Sequence, residues 1–326
     1  MTVLILTRSD DKSVERVLDS IRERGARAFR LDTDRFPTEI RLSIECGLAP
    51  PRMRMTTGND HLVLSEVSAV WHRRLHVGGL LPDDMDKQLR GASQLESRAT
   101  LMGMIASLQC FYLDPVPNIR QAQHKQLQLQ VAQNLGLIIP KTLITNDPDE
   151  VRRFYRVCDG NVIAKMLSSF AVYEEGEERV VFTNAVAPED LEELGTLRLC
   201  PMTFQERIPK ALELRAVLIG DQVFTASIDS QQFEKSRLDW RRDAVSHLDA
   251  WRPYVLPDEI QVKLQRLLDF FGLQYGAFDL ILQPDGRFVF LELNPTGEFF
   301  WLDRIVGLPI SRAIADVLLG ERRRAR

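Results

Sequence analysis

Two apolar runs near the end of the chain predict a β-hairpin, because they flank the turn signal Pro284-Asp285-Gly286. Alternate residues of a strand share a face, so Asp279 lies among apolar neighbours in the first predicted strand. In the second predicted strand, Glu292 and Asn294 share one face. Acidic residues are depleted in strand interiors, so this pattern indicates a site rather than ordinary sheet.

The register of the hairpin decides whether the two carboxylates meet. A two-residue Asp285-Gly286 loop would place Asp279 opposite Glu292, whereas a three-residue loop would shift the pairing by one residue and separate them. We favour the register that brings them together, if necessary through a bulge. Facing carboxylates repel each other, and a divalent cation would remove that conflict. Two carboxylates and the Asn294 amide oxygen suit Mg²⁺.

The rest of the apolar pattern predicts alternating strands and helices. A β-α-β start over residues 2–31 predicts a small domain with parallel strands. Helical spacing is present at 11–24, 86–109, 119–135, 257–271 and 305–319. For the second of these helices we expect a buried stripe that includes Leu89 and Leu95. The basic tail 321–326 is expected to be solvated and frayed.

Composition excludes several classes of protein. The 326 residues carry a formal net charge of -4, which does not favour nucleic acid, and contain no apolar span long enough for a membrane helix. The first residues predict a strand rather than a signal peptide. The four cysteines and five histidines lack the spacing of metal sites, so we expect free thiols in a reducing cytoplasm.

The hairpin motif resembles the metal-binding signature of the ATP-grasp superfamily: Asp279, then Phe290-Leu291-Glu292-Leu293-Asn294-Pro295. Further segments resemble the ATP-grasp ligases that mature microviridins, which are graspetides cross-linked between side chains. These segments are Phe29–Pro37, Val70–Arg74, His124–Leu127, Pro201–Glu206 and Lys210–Arg215. The resemblance implies an α/β (α+β) ATP-grasp fold. Its expected parts are an N-terminal pre-ATP-grasp domain (1–116), a small central subdomain (117–200) and a C-terminal ATP- and metal-binding subdomain (201–326).

The resemblance also implies ATP and Mg²⁺ as cofactors and assigns their contacts. Asp279, Glu292 and Asn294 are the expected metal ligands. The expected nucleotide contacts are Lys125, Lys165, Glu206, Ile208 and Glu213. Arg215 and Lys165 are expected to act in catalysis, since phosphoryl transfer requires fixed cations around the phosphates.

A ribosomal precursor peptide is the implied substrate. Its helical leader is expected to dock at the acidic segment, with contacts to Val181, Phe182, Glu189, Asp190 and Glu193. A simpler reading of these acids is a solvated helix N-terminus.

Three arginines are candidate contacts for the core of the peptide: Arg73, Arg74 and Arg241. Arg73 and Arg74 end a predicted strand, where α/β folds bind ligands. They also fit an ordinary solvated pair, and Arg241 lies in a long polar segment that is typical of functional loops.

The implied reaction activates Asp or Glu side chains as acyl phosphates. Ser or Thr hydroxyls would then capture them as ω-esters, which the start of the chain and Met202–Arg215 favour. A lactam-forming ligase, and a ligase that adds an amino acid to a small molecule or a protein C-terminus, are the alternatives within this chemistry. A nucleotide-binding module without catalysis is a third, disfavoured because Asp279, Glu292, Asn294, Lys165 and Arg215 occur together. The resemblance further implies a homodimer.

Overall fold

The computed structural model describes residues 1–47, 52–58, 60–167, 171–174, 177–180, 183–243 and 245–324. The strands are β1 (Thr2–Thr7), β2 (Arg27–Asp32), β3 (Ile40–Glu45), β4 (Arg52–Thr57), β5 (Asp60–Val63), β6 (Val67–His72), β7 (Phe111–Leu113), β8 (Thr142–Thr145), β9 (Val162–Lys165), β10 (Ala171–Glu174), β11 (Glu177–Val180), β12 (Asn184–Ala185), β13 (Met202–Glu206), β14 (Leu212–Ile219), β15 (Gln222–Ile228), β16 (Arg252–Tyr254), β17 (Tyr275–Leu282) and β18 (Phe288–Asn294). The helices are α1 (Glu15–Glu23), α2 (Lys87–Ser107), α3 (Val116–Ala122), α4 (Lys125–Asn134), α5 (Pro148–Val157), α6 (Asp258–Phe270), α7 (Phe300–Arg304) and α8 (Ile310–Leu319).

The N-terminal unit is built on a parallel sheet in the order β2-β1-β6-β7. All six residues of β1 are buried, as expected for a central parallel strand covered on both faces. The predicted β-α-β start is confirmed. A small antiparallel sheet, β3-β4-β5, is attached to this unit.

Helix α2 differs from its prediction in its first half. Leu101, Met104 and Ile105 are buried in the core around β1 and β2. Leu89 and Leu95, in contrast, are 62% and 72% exposed. The expected buried stripe is therefore wrong for the first turns, because only the later turns of α2 contact that core.

The predicted helix over 119–135 is two helices, α3 and α4. The carbonyl of Ala122 at the end of α3 accepts a hydrogen bond from the Gln128 side chain. Helix α4 begins at Lys125, so this break places the lysine on the first turn of a helix. Both helices pack in a core cluster with the C-terminal sheet, where Ala132 meets Leu268 and Phe290.

Two larger antiparallel sheets, a central one and a C-terminal one, follow the N-terminal unit in the chain. The central sheet has the order β12-β9-β13-β8, and β10 and β11 form a separate hairpin. The C-terminal sheet has the order β16-β15-β14-β17-β18. One face of the C-terminal sheet packs against α3 and α4. The opposite face shares a core with the N-terminal unit, since Val217 and Ala277 cluster with Ile5 and Val17. Among the described helices, none is both long and apolar enough to cross a membrane.

The β17–β18 hairpin has the favoured pairing, and a bulge produces it. Gln283 donates its N–H to Arg287 O at 2.9 Å, so the turn has three residues. With regular pairing beyond it, a three-residue turn would place Asp279 and Glu292 on opposite faces of the hairpin. Leu280 pairs with Phe290, but the next pair is Asp279 with Glu292, which leaves Leu291 as the extra residue. The bulge therefore restores the facing carboxylates.

The end of the chain differs from the sequence prediction in two ways. Helix α8 begins at Ile310, after Pro309, because proline lacks the N–H that a continuous helix over 305–319 would need. Within the described residues, the tail is also docked rather than frayed. Arg324 exchanges hydrogen bonds of 3.0 and 3.1 Å with the Gln274 side chain, and its guanidinium donates to Leu273 O. The guanidinium of Arg323 lies 3.6 Å from the centre of the Phe111 ring.

We expect Arg324→Ala to lower the free energy of unfolding by about 1–3 kcal/mol, because the charge-assisted hydrogen bonds of its guanidinium to the carbonyls of Leu273 and Gln265 are lost. Arg322→Ala is the matched control. Its ion pair with Asp221 is exposed, so its loss should cost less than about 1 kcal/mol. Denaturant unfolding compares the two variants. Equal stability of both would show that the docked tail does not contribute.

Candidate active site

A cavity of about 470 Å³ lies between the central and C-terminal sheets. Strands β9 and β13 line one wall, and β14, β17 and β18 line the other. The lining includes all of the residues predicted to bind nucleotide or metal: Lys125, Lys165, Glu206, Ile208, Glu213, Asp279, Glu292 and Asn294. The fold therefore gathers residues that are up to 169 positions apart in sequence, such as Lys125 and Asn294.

The three predicted metal ligands form one cluster. Asn294 Nδ2 donates to Asp279 Oδ2 at 3.1 Å and to Glu292 Oε1 at 3.0 Å. Lys125 Nζ lies 3.0 Å from Glu292 Oε2 and 3.1 Å from Asn294 Oδ1. Two carboxylates and an amide thus share one small volume at the cavity wall. This donor set fits a hard divalent cation, which takes oxygen ligands.

The charge on Glu292 is stabilised by its neighbours. Burial alone would raise the pKa of this carboxyl. The positive charges of Lys125 and Lys165 and a hydrogen bond from Asn294 outweigh that effect, and the pKa lies well below its usual range. Metal ligands must be deprotonated, so the two lysines keep Glu292 in the form that a cation binds.

Arg215 is held rigidly beside this cluster. It pairs with Asp279 across β14 and β17, and its Nη1 lies 2.8 and 2.9 Å from the two oxygens of Asp279. Nη2 donates to Glu298 O at 3.0 Å, and the guanidinium lies 5.6 Å from the centre of the Trp301 ring. A fixed cation at this position suits stabilisation of charge on a transferring phosphoryl group.

Gly297 allows this close approach. A Cβ at this position would lie 2.7 Å from Arg215 Nη2 and 2.6 Å from the Cβ of Ala277. The absence of a side chain therefore lets the loop after β18 pass directly over the guanidinium. No local sequence pattern gives Gly297 a role, since glycine is required here only by this tertiary contact.

Glu213 lies deeper in the same cavity. It faces Lys210, with Nζ and Oε1 3.0 Å apart, and it is 7% exposed. Burial raises the pKa of Glu213, although Lys210 and Ser230 act in the opposite direction. Lys210 is the first residue of the Lys210–Arg215 motif, and the motif alone assigns it no role. Its position three residues before Glu213 was the available signal.

Glu206 and Ile208 lie at the end of β13 and line the cavity. The backbone N–H of Glu206 donates to Lys141 O at 2.9 Å, and its carboxylate lies 3.5 Å from Lys141 Nζ. The segment after β13 therefore forms a rim between the two sheets. Assignment of these residues to adenine stays a prediction.

A second, more open cavity of about 900 Å³ adjoins the first. The metal-type cluster lies at the boundary, since Asp279, Glu292 and Asn294 line both cavities. The second cavity adds Gln123, His124, Arg215, Thr296, Glu298 and Trp301. A reacting group bound in the second cavity would therefore lie close to a phosphate bound in the first cavity, and Arg215 would lie beside the reacting group.

The three acidic residues predicted to contact the leader peptide lie outside the two cavities. Glu189 and Asp190 form a 3-10 turn, Glu189–Leu191, and Asp190 Oδ2 accepts a hydrogen bond of 2.7 Å from the Ala187 N–H. Glu193 follows this turn and is exposed. Val181 and Phe182 lie outside the described residues. The three acids are absent from the lining of both cavities, so they are available to a partner at another surface.

The arginines predicted to contact the core peptide have different environments. The Arg73 side chain is 2% exposed, whereas that of Arg74 is 39% exposed, and both form ion pairs with Glu298. Arg241 lies in the helical turn Trp240–Asp243, and its side chain is outside the described part of the chain. Arg73 is therefore buried in the protein interior, and Arg74 is the more accessible of the two arginines.

Comparison with known proteins identifies the family. Residues 2–120 match the model of the MvdD pre-ATP grasp domain. The macrocyclase MdnC from Microcystis aeruginosa MRC, solved with the precursor peptide MdnA, is 49% identical, with a TM-score of 0.89 over 98% of this chain and 99% of that chain. The chain is an ATP-grasp ligase of the graspetide family. No match was found among curated proteins.

Two further structures support the same assignment. A RiPP-associated ATP-grasp ligase from Chryseobacterium gregarium, in complex with ADP and a leader and core peptide, is 37% identical, with a TM-score of 0.95 over 99% of this chain and 98% of that chain. The macrocyclase MdnB from Microcystis aeruginosa MRC is 38% identical, with a TM-score of 0.82 over 98% and 99%. The predicted family and the ATP-grasp fold are confirmed.

Gly297→Ala tests the packing around Arg215 in this ligase. We expect ADP formation with a peptide substrate to fall by about 10²-fold, because the added methyl group must displace the guanidinium or the loop by a sizeable fraction of an ångström. Gly195→Ala is the control, since a Cβ there has no neighbour within 4 Å. Full activity of Gly297→Ala would contradict the proposed constraint on Arg215.

Proposed function

We propose that this ligase macrocyclises a ribosomal precursor peptide of the microviridin type by forming ω-esters between its side chains. The observation that carries the proposal is the position of Asp279, Glu292 and Asn294 at the boundary of two adjoining cavities, with Arg215 in the wall of the second cavity. One cavity suits a nucleotide, and the other is open to a peptide. An enzyme that transfers a phosphoryl group from ATP to a side-chain carboxylate needs this arrangement.

Mg²⁺ would be held by Asp279, Glu292 and Asn294, and when bound it supplies positive charge to the phosphates. Lys125 and Lys165 add positive charge on the same side, as their effect on Glu292 indicates. Arg215 lies 2.8 Å from Asp279 and therefore stays next to any phosphate bound near this cluster. We therefore expect these three cations to lie beside the reacting phosphoryl group.

The first chemical step is attack of an Asp or Glu carboxylate of the peptide on the γ-phosphorus of ATP, with ADP as the leaving group. A Ser or Thr hydroxyl then attacks the acyl carbonyl carbon, phosphate leaves, and the hydroxyl proton passes to phosphate or solvent. Each ring therefore removes the elements of one water from the peptide. Arg215 stabilises the negative charge that develops on phosphoryl oxygens in the first step.

The open second cavity supports a peptide rather than a free amino acid as the substrate. At about 900 Å³, it is wide and continuous with the solvent-facing residues Gln123, His124 and Gln126. A site for a small free substrate would instead enclose most of the ligand's surface. The preference for esters over lactams follows from the resemblance of Met202–Arg215 to the ester-forming ligases.

Intact mass spectrometry tests the proposal. The protein is incubated with ATP, Mg²⁺ and a candidate precursor whose core contains Thr, Ser, Lys, Asp and Glu. We expect successive losses of one water, reversed by mild alkaline hydrolysis because esters hydrolyse and lactams do not. Losses that resist alkali would identify a lactam-forming ligase. Unchanged peptide, with ADP formed only when a free amino acid is supplied, would contradict the peptide proposal.

Leader docking at the acidic turn gives a separate prediction. Glu189→Lys should weaken precursor binding by at least about tenfold, because it replaces an attractive charge with a repulsive one at the docking surface. Asp190→Lys should do the same, although it also removes the hydrogen bond to the Ala187 N–H. Fluorescence anisotropy of a labelled leader measures the affinity.

Asp149→Lys is the matched control, because Asp149 is also an exposed acid in the first turn of a helix. Equal leader affinity of wild type, Glu189→Lys and Asp190→Lys would place the leader site elsewhere. Loss of affinity in the control would instead indicate a general effect of net charge.

A further inference from the structure

The loop between β18 and α7 receives a buried donor at each of three successive carbonyls. Arg73 Nη1 donates to Thr296 O at 2.5 Å, Tyr275 Oη donates to Gly297 O at 2.7 Å, and Arg215 Nη2 donates to Glu298 O at 3.0 Å. Burial raises the pKa of Tyr275 to about 12, so its hydroxyl remains a donor. The path of this loop is therefore fixed by side chains from two strands, β14 and β17, and from the residue that follows β6.

Arg73 is the donor that comes from the N-terminal unit. It follows β6, and its backbone N–H donates to Leu6 O at 3.0 Å. Its Nε lies 3.6 Å from Asp11 Oδ2 and 3.5 Å from Ser13 Oγ. Asp11 is itself fixed by Thr7 Oγ1 at 2.7 Å. Contacts within the N-terminal unit thus orient the Arg73 guanidinium independently of its hydrogen bond to the loop.

Glu298 completes the contact from the loop side. Its Oε2 lies 2.5 Å from Arg73 Nη2, as an ion pair rather than a linear hydrogen bond, and its Oε1 accepts from Arg74 Nη2. The backbone of the same residue holds Arg215. One residue therefore links the N-terminal unit to the cation beside the metal-type cluster.

The burial of Arg73 argues against direct contact with a peptide. Its side chain is 2% exposed, and its donors face Asp11, Thr296 and Glu298. Arg73 is also absent from the lining of both cavities. Removal of one partner of a buried ion pair leaves an uncompensated charge in the protein interior, which is strongly unfavourable. This environment is that of a residue that acts through the loop.

We propose that Arg73 and Glu298 are positioning residues that hold Arg215 and Asn294 in register by clamping the loop after β18 to the N-terminal unit. The N-terminal unit thereby shapes the phosphoryl-transfer site without contacting substrate. Thr296 and Gly297 directly follow the motif that ends in Asn294-Pro295, so movement of the loop would move the Asn294 side chain as well. The inference rests on the proposed function only for its peptide readout.

The test compares Arg73→Met, Glu298→Ala, the double variant and Arg22→Met. We expect kcat for ADP formation to fall by about 10²-fold in the first two, with peptide KM and Mg²⁺–ADP affinity near their wild-type values, because misplacement of a catalytic cation affects the reacting geometry. The double variant should fall no further than the worse single variant, since both changes open the same contact. Arg22→Met is the control, because Arg22 is an exposed arginine of the same N-terminal unit that pairs with Asp19 on α1 and lines neither cavity. It should retain nearly full kcat.

A rise in peptide KM with unchanged kcat in Arg73→Met would overturn the proposal and make Arg73 a substrate contact. Additive losses in the double variant, or unchanged kcat in Glu298→Ala, would also overturn it. If Arg73→Met does not fold, Glu298→Ala decides the matter, since the Glu298 side chain is 37% exposed and its loss leaves no void in the core. If wild type forms ADP but the mass of the peptide does not fall, the macrocyclisation proposal is wrong. In that case kcat for ADP formation still tests whether Arg73 and Glu298 clamp the loop after β18.

Discussion

The bulge at Leu291 is the constraint on which the site depends. A three-residue turn sets the register near the tip of the hairpin, and the extra residue changes it before the strands reach the two carboxylates. Asp279 and Glu292 then face each other on a sheet, where like charges are unfavourable without a counter-charge. Lys125, Lys165 and Arg215 surround the pair and supply it. The repulsion that would destabilise an ordinary hairpin is thereby offset, and the oxygen donors of this cluster are of the kind that a divalent cation takes.

The cations of the site come from separate parts of the fold. Lys125 starts a helix that packs on the C-terminal sheet, Lys165 ends a central strand, and Arg215 lies within the C-terminal sheet. The N-terminal unit adds Arg73, which meets the loop over Arg215. Each cation is thus held by a different rigid element. Electrostatic stabilisation of a transition state depends on charges that need not reorganise, and this fold satisfies that condition.

The sequence predicted the local features of the site well. The alternation around Asp279, Glu292 and Asn294 predicted the shared face, and the expectation that the two carboxylates meet selected the observed register, although it could not locate the bulge. Short-range patterns also predicted the β-α-β start. They failed where a local signal competes with packing, as in the first half of α2 and in the tail, where Arg324 docks on a segment 50 residues away.

Other features had no local signal at all. Gly297 must be glycine only because Arg215 and Ala277 approach it in the folded protein. Arg73 looked like one of a solvated or ligand-binding pair, yet the fold buries it against a loop 223 residues away. Such roles depend on long-range contacts, which spacing and composition do not encode. The family resemblance supplied the chemistry of the site but not this internal support.

The most direct test of the account is the affinity of the protein for ADP with and without Mg²⁺, measured by titration calorimetry. We predict that Mg²⁺ strengthens ADP binding to wild type and to Asp285→Asn, whose carboxylate lies in the exposed turn of the same hairpin. Glu292→Gln should lose this Mg²⁺-dependent gain. A Glu292→Gln protein that binds ADP with the full Mg²⁺ dependence of wild type would contradict the claim that the facing carboxylates hold the cation.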